Sequence, residues 1–317
     1  MDITLHLGAH RCASTSFQFY LRQNANRLYQ QGITVWGPSH TRKGLFSGVF
    51  PQPGHIPAAQ QFARARGRVA LALNKVLQDR VQQHGTPRLI ITDENMIGTP
   101  RTNLRDMRLY PGIGERMARY GAVLGGRVTR VALSIRAQDA YWASCLAFSV
   151  ARGASIPTPL ALEHMAISPR SWRDVITDLA CAMPGAEILV MPHEIYGAMP
   201  ERKLAVMLST GDVPRGHARE WLNRGPDLPE LRRAVMRQGA SPAALPPRDG
   251  PWRPFAPSQM AAMAETYADD LFWLRAGAEG LATLTEETDL ACVGQTSRGP
   301  IQTRGRHDGK EDTRRLA

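Results

Sequence analysis

No apolar run in the chain approaches the roughly 18 consecutive residues that a membrane-spanning helix needs. Cysteine is scarce. Cys12, Cys145, Cys181 and Cys292 lie far apart and form no CxxC pair, so neither a disulfide framework nor a thiolate metal site is expected. The opening Met1–Leu7 has no basic stretch ahead of an apolar one, so no signal peptide is expected and reduced thiols point to the cytoplasm. Acidic residues are outnumbered, 28 Asp and Glu against 39 Lys and Arg, which gives a net charge of +11. The basic residues are mostly arginine and are scattered. No aromatic-interleaved basic run occurs, so a nucleic-acid partner is not expected. A polyanionic small ligand would use a few of these arginines.

The composition is that of a globular protein, with 43% hydrophobic and 21% charged residues. Ile3, Leu5 and Leu7 alternate with Thr4 and His6 and predict a strand. A polar loop, Gly8 to Ser16, follows. Phe17, Tyr20, Leu21, Leu28 and Tyr29 then recur at helical spacing, and Gly32 stops them. Further strands are predicted at Ile33–Trp36, Arg88–Asp93, Val128–Ile135 and Ile188–Met191. Helices are predicted at Ala58–His84, Ile113–Tyr120, Ala140–Arg152 and Trp172–Met183. The stretch Gly37–Pro57 reads as a long loop, and Pro200–Gly280 as helical with two breaks. Strands alternating with helices give an α/β class with a mainly parallel sheet flanked by helices and a helical C-terminal part. Ligands in such sheets bind at the carboxyl ends of strands. The expected organisation is one domain over residues 1–280 and a tail over 281–317, disordered from about 294, where large apolar side chains almost vanish.

Three strand ends carry notable polar residues: Gly8 to Ser16, Asp93-Glu94, and Arg136. The first is a phosphate cradle by construction. A helix start offers unpaired N–H groups and the positive end of the dipole. Arg11 adds charge, and Ser14, Thr15 and Ser16 add hydroxyls. The alternative is that these three residues only cap the helix. No Gly-Lys pair precedes Ser14, so the loop is not the GxxxxGK[ST] of nucleotide triphosphatases.

The segment His6-Leu7-Gly8-Ala9-His10-Arg11-Cys12-Ala13-Ser14-Thr15-Ser16 resembles the 5′-phosphosulfate loop of sulfotransferases that use 3′-phosphoadenosine 5′-phosphosulfate (PAPS). Arg136 at a strand end, followed eight residues later by Ser144 on a helix, is similar to that family's 3′-phosphate motif. Ile91-Thr92-Asp93-Glu94-Asn95-Met96 and Trp221-Leu222-Asn223-Arg224-Gly225-Pro226-Asp227-Leu228 resemble later segments of bacterial members more loosely, and Ala256–Gly277 their closing helix. Two residues depart from the pattern. The family's loop lysine is Arg11 here, and its loop glycine is Ala13.

The resemblance implies a P-loop-type fold and sulfuryl transfer from PAPS to a small-molecule, lipid or glycan acceptor, releasing adenosine 3′,5′-bisphosphate without a metal. It implies that Arg11, Cys12, Ala13, Ser14, Thr15 and Ser16 hold the 5′ end and that Arg136 and Ser144 hold the 3′-phosphate. Arg11 would neutralise the bridging oxygen. Glu94, at a strand end on the ligand side, is the first candidate for the general base, with His10 and His55 as further candidates. Trp36 would stack on the base or line the acceptor site, whereas Trp221 is assigned to packing. Two alternatives stand beside this: a nucleotide-binding P-loop protein with weak or no activity, and a P-loop phosphotransferase.

Overall fold

The computed structural model describes residues 1–79 and 87–286. In chain order the elements are β1 Asp2–Gly8, α1 Ser14–Gln23, α2 Ala25–Gln30, β2 Ile33–Trp36, the helical turn α3 Pro38–His40, α4 Ala58–Gln78, β3 Arg88–Thr92, α5 Pro100–Asp106, α6 Ile113–Val123, β4 Val128–Ile135, α7 Gln138–Val150, α8 Pro159–Ala166, α9 Trp172–Ala182, β5 Glu187–Pro192, the short α10 His193–Tyr196, α11 Pro200–Leu208, α12 Leu228–Arg237, α13 Pro257–Arg275 and β6 Thr283–Leu284. Local chemistry sets several of these boundaries. Ser171 and Asp227 open α9 and α12 in capping boxes with Asp174 and Glu230. Along α4, Ala65, Val69, Leu73 and Val76 recur on one face and are buried.

The six strands form one parallel sheet in the order β2-β3-β1-β4-β5-β6. Their apolar runs are buried on both faces, as a parallel sheet covered by helices requires. Ile3, Leu5, Leu7, Leu89, Ile91, Val131 and Leu133 pack into one layer with α4, α6, α7, α9 and α13. Ile90, Ala132, Leu189 and Met191 pack on the other face against Phe17, Tyr20 and Leu21 of α1 and Leu204 and Met207 of α11. The connection from β1 leads toward β2 and that from β4 toward β5, in opposite directions. A crevice therefore opens between the carboxyl ends of β1 and β4, the switch point where such sheets take ligands. Asp270 of α13 ties the C-terminal helix to this frame. Its carboxylate accepts from Ser171 Oγ at 2.6 Å and from the Trp172 and Arg173 N–H groups at 3.0 and 3.1 Å.

The structure changes three expectations. The sheet continues past residue 280, because Thr283 and Leu284 pair with Leu189 and Val190 of β5. Two-residue strands leave little periodicity to read. The long loop after β2 is not structureless: it contains α3 and an irregular helical turn over Thr41–Leu45, with Gly44 at a φ of 93°. Helix α4 closes at Gln78 with Asp79 as its C-cap, and residues 80–84 of the expected helix lie outside the described residues. The proposed disorder from about 294 lies outside the described residues. Among the described residues no helix is long and apolar enough to cross a membrane.

Candidate functional site

Gly8 closes β1 opposite Ser134 of β4. The chain then turns through residues 9–13. The Ala9 N–H donates to the Ser134 carbonyl at 3.0 Å, and the Cys12 N–H donates to the Ala9 carbonyl at 3.1 Å. Arg11 and Ala13 hold φ values of 67° and 62°, left-handed geometry that costs a non-glycine residue about 1–2 kcal/mol. Helix α1 starts directly after this turn. The N–H groups of Ala13 to Ser16 have no acceptor among the described residues. Ser14 Oγ is buried, turned onto Gly8, and without a hydrogen-bond partner. A Cβ on Gly8 would overlap it and would lie 3.2 Å from His6 Cε1, so only glycine leaves room for this hydroxyl.

The side chains do not cap α1, which has no side-chain cap bond. They divide the work differently from the expectation. Ser16 Oγ accepts the Leu222 N–H at 2.9 Å, so it fastens a distant segment rather than facing a ligand. Thr15 Oγ1 accepts from Asn223 Nδ2 at 3.5 Å. The Cys12 amide is spent within the turn, and burial pushes the Cys12 thiol up to about 12. Of the three hydroxyls, Ser14 alone keeps its capacity unused.

Arg11 meets Arg136 and Ser144 here, each more than a hundred residues further along the chain. Arg11 Nε donates to Ser144 Oγ at 3.0 Å, and Nη2 donates to the Asn223 carbonyl at 3.2 Å. Its guanidinium also lies 4.9 Å from the centroid of the Phe148 ring. Burial lowers its pKa below the ordinary value, yet a guanidinium stays charged at neutral pH. Arg136 Nη1 donates to the Arg11 carbonyl at 2.8 Å, and the Arg136 carbonyl accepts from Trp172 Nε1 at 2.7 Å. Gly225 passes so close that a Cβ there would sit 3.3 Å from Arg11 Nη2. The 222–225 segment thus closes over the loop from one side. Beside it Trp221 is 41% exposed, against the expectation that it packs. Trp36 shows the opposite: it is buried in the core and lines nothing.

On the other side, the end of β3 supplies Asp93, Glu94 and Asn95. Asp93 is buried and saturated. It accepts from Thr41 Oγ1 at 2.5 Å, from Arg42 Nη2 at 2.7 Å and from the Asn95 N–H at 3.0 Å. It therefore pins the loop after β2. Glu94 accepts from Gln18 Nε2 at 2.7 Å and from Arg42 Nη2 at 3.0 Å, and is partly open to solvent. His10, a further candidate for the base, has its polar atoms engaged. Its backbone N–H donates to Tyr110 Oη at 2.8 Å, Nδ1 lies 2.9 Å from the same oxygen, and Nε2 lies 3.1 Å from Asn95 Oδ1. The assignment that satisfies all three has the phenol donating to Nδ1 and Nε2–H donating to Asn95, which leaves the imidazole neutral with no free nitrogen. Burial lowers its pKa, consistent with that state. His55 is exposed, has no hydrogen-bond partner among the described residues, and is not tied to the loop.

Several residues of the site gave no signal in the sequence. Arg42 lies in an irregular loop, and Tyr110 binds His10 across a hundred residues. Lys203 and His193, beneath the loop, come from elements that carry no motif. Elsewhere, a surface depression of about 460 Å³ lined by Arg232, Ser241, Pro242 and Leu245 carries no comparable chemistry, since Arg232 already donates to backbone carbonyls. Among the described residues no group of three or more His, Cys, Asp and Glu side chains could hold a metal.

Fold and site together define an α/β protein whose parallel sheet carries an arginine-flanked loop at its switch point. No family model, curated protein or solved structure matches the chain.

Proposed function

We propose that the protein is a PAPS-dependent sulfotransferase acting on a hydroxyl or amine of a small-molecule, lipid or glycan acceptor. The observation that carries this reading is the meeting of two motifs 125 residues apart. Arg136 holds the Arg11 carbonyl, and Arg11 holds Ser144, at the start of a helix with free N–H groups. The residues present fit a nucleotide with phosphate at both ends. The N–H groups of Ala13 to Ser16 and the unused Ser14 hydroxyl would take one phosphate, and Arg136 with Ser144 the other. Because Ser144 is now bound to Arg11, the Arg11 side chain would turn from Ser144 toward the 5′ end of the nucleotide.

PAPS supplies an activated sulfuryl group. The protein's part is positioning and charge. Arg11 would face the charge that develops on the leaving oxygen. Glu94 would accept the acceptor's proton, held in place by Gln18 and Arg42, each of which occupies one of its oxygens. Trp221, exposed at the mouth, offers a face for a ring of the nucleotide or the acceptor.

A second reading is favoured by one observation. Arg11 and Ser144 are bound to each other, which suits a nucleotide-binding protein with weak or no turnover. Calorimetry tests the first step common to both. Adenosine 3′,5′-bisphosphate should bind at least ten times more tightly than AMP or ATP without magnesium. Arg136→Ala should remove most of that preference, because a phosphate hydrogen bond to a charged donor contributes about 1.5–3 kcal/mol. Equal affinity for AMP and the bisphosphate in the wild type would end the sulfotransferase reading. Transfer of label from PAPS to an acceptor then separates enzyme from binder.

A further inference from the structure

Lys203 is one of four lysines in a chain with 39 basic residues. It projects from α11 toward the underside of the loop and is 1% exposed. Its Nζ donates to Ser134 Oγ at 3.1 Å and stands 5.3 Å from the centroid of the Phe17 ring. No carboxylate faces it among the described residues. His6 faces it from β1 and Cys12 from the loop, with Arg136 at the end of β4 and His193 on α10 close by. The acids of the adjoining elements are engaged elsewhere. Glu194 accepts from the Ala137 N–H at 2.9 Å and from Tyr267 at 3.0 Å, and Glu201 pairs with Arg219 at 2.7 Å.

An ammonium buried without a counter-ion is costly, and so is each buried polar atom left unpaired. Four such atoms gather here: Lys203 Nζ, with a hydroxyl but no anion, and Ser14 Oγ, His6 Nε2 and His193 Nδ1, with no partner. They flank the loop at the start of α1, where the amides are also unused. These four side chains are neutral or positive, and the carboxylate that acts on the adjoining Cys12, Glu194, is hydrogen-bonded to the Ala137 N–H and Tyr267. What the cluster lacks is a negative charge.

We propose that Lys203 is a positioning charge for the loop: from beneath, it supplies the positive field for an anionic phosphate or sulfate group held by residues 8–16. The proposal rests on the anion-binding part of the function proposed above, not on sulfuryl transfer. It gives the lysine charge that the loop itself lacks a different origin in the chain. His6 and His193 stay neutral near pH 7, their pKa values lowered mainly by burial. Lys203 is the buried cation that can titrate, since burial brings its ammonium down to about 8. A bound anion would pull that value back up, so binding should take up a proton.

The test is calorimetry on the full chain between pH 7 and 9.5, in pairs of buffers with different ionisation enthalpies. The probes are adenosine 3′,5′-bisphosphate and inorganic sulfate, the latter as a competitor with no ionisation of its own in this range. Binding should take up about half a proton at pH 8, and affinity should fall toward 10-fold per pH unit above it. Lys203→Met should abolish the uptake and weaken binding at pH 7 by about 10-fold, while leaving the melting temperature unchanged or higher, because an uncompensated buried charge is gone. A wild type that binds the bisphosphate with no proton uptake and no loss of affinity at high pH overturns the proposal. So does a Lys203→Met variant that binds with the wild-type profile. Should that variant not fold, the wild-type pH profile decides alone. If neither probe binds the wild type at all, the loop is not an anion site, and this proposal fails together with the one it rests on.

Discussion

Replacing Gly8 with alanine probes the closest approach in the loop. The added Cβ would overlap Ser14 Oγ, lie 3.3 Å from Ser14 Cβ and meet His6 Cε1 at 3.2 Å. The histidine cannot yield easily. Its Nδ1 is 2.9 Å from Thr92 Oγ1, and its ring packs on Phe17 with centroids 4.5 Å apart. Ser14 must therefore rotate, or α1 must shift. Overpacking of this kind costs about 1–3 kcal/mol. Ser14→Ala alone removes a buried hydroxyl that has no partner, so stability should stay within about 0.5 kcal/mol of wild type or rise slightly. The double variant loses the worst contact but keeps the 3.2 and 3.3 Å approaches. It should recover most of the loss, a coupling of about 1–2 kcal/mol between the two positions. Urea unfolding measures all four corners of this cycle, with an unchanged m-value as the condition for comparing them. A Gly8→Ala protein as stable as wild type, or additive effects in the double variant, would show that Ser14 is not turned onto the strand end. Ser14→Ala carries a second readout. A neutral hydrogen bond contributes about 0.5–1.5 kcal/mol, so bisphosphate affinity should drop about 2- to 12-fold while the fold is untouched.

Glu94→Gln should lower kcat for sulfuryl transfer by about 10²- to 10⁴-fold with little change in bisphosphate affinity; full activity would place the base elsewhere. Asp93→Ala should cost about 2–3 kcal/mol in urea unfolding, below the usual range for breaking a buried pair because Arg42 is partly solvated; a loss under 1 kcal/mol would show that Asp93 does not pin the loop after β2. His6 and His193 are held neutral by burial, with His193 brought down to about 3 from an ordinary 6.5. The unfolded chain therefore binds more protons below pH 6.5, and stability should fall steadily as pH drops from about 6.5 toward 3; a melting temperature flat across that window would contradict the lowered pKa values of both rings.

The strands and the turn into α1 were legible because each rests on local pattern. Ile3, Leu5 and Leu7 alternate, the hydroxyl run Ser14 to Ser16 follows a turn, and Arg136 ends a run of apolar residues. What escaped the sequence depends on contacts between distant positions. His10 carries the same local credentials as Arg11, one residue away, yet Tyr110 and Asn95 take up both its nitrogens. Asp93 and Glu94 look alike in sequence. Arg42 and Thr41 saturate the first, while the second stays partly solvated. Lys203 sits two residues from Glu201 in an ordinary amphipathic helix, and only the crossing of α11 behind α1 gives it a role. The two-residue strand β6 is too short for any periodicity to announce it.

The two departures from the sulfotransferase pattern are linked by the backbone. Arg11 and Ala13 occupy left-handed positions that glycine would take without penalty, and each costs about 1–2 kcal/mol. Such strain persists only where surrounding bonds over-determine the conformation. They do so here. The Arg11 carbonyl is held by Arg136, the Ala13 carbonyl by the Phe17 N–H at 3.1 Å, and His10 is fixed twice by Tyr110. Each bond offsets about 1 kcal/mol, so three or four of them balance the strain. Arginine at position 11 then does something a lysine could not. Its planar fork reaches Ser144 and the Asn223 carbonyl at once, joining the loop to α7 and to the closing segment, whereas an ammonium on a flexible stem has no fixed fork with which to span them. The fork serves Ser144, the Asn223 carbonyl and, in the proposed reaction, the leaving oxygen, so a compact charge beneath the loop has to come from elsewhere. In the proposed anion site, Lys203 supplies it from α11.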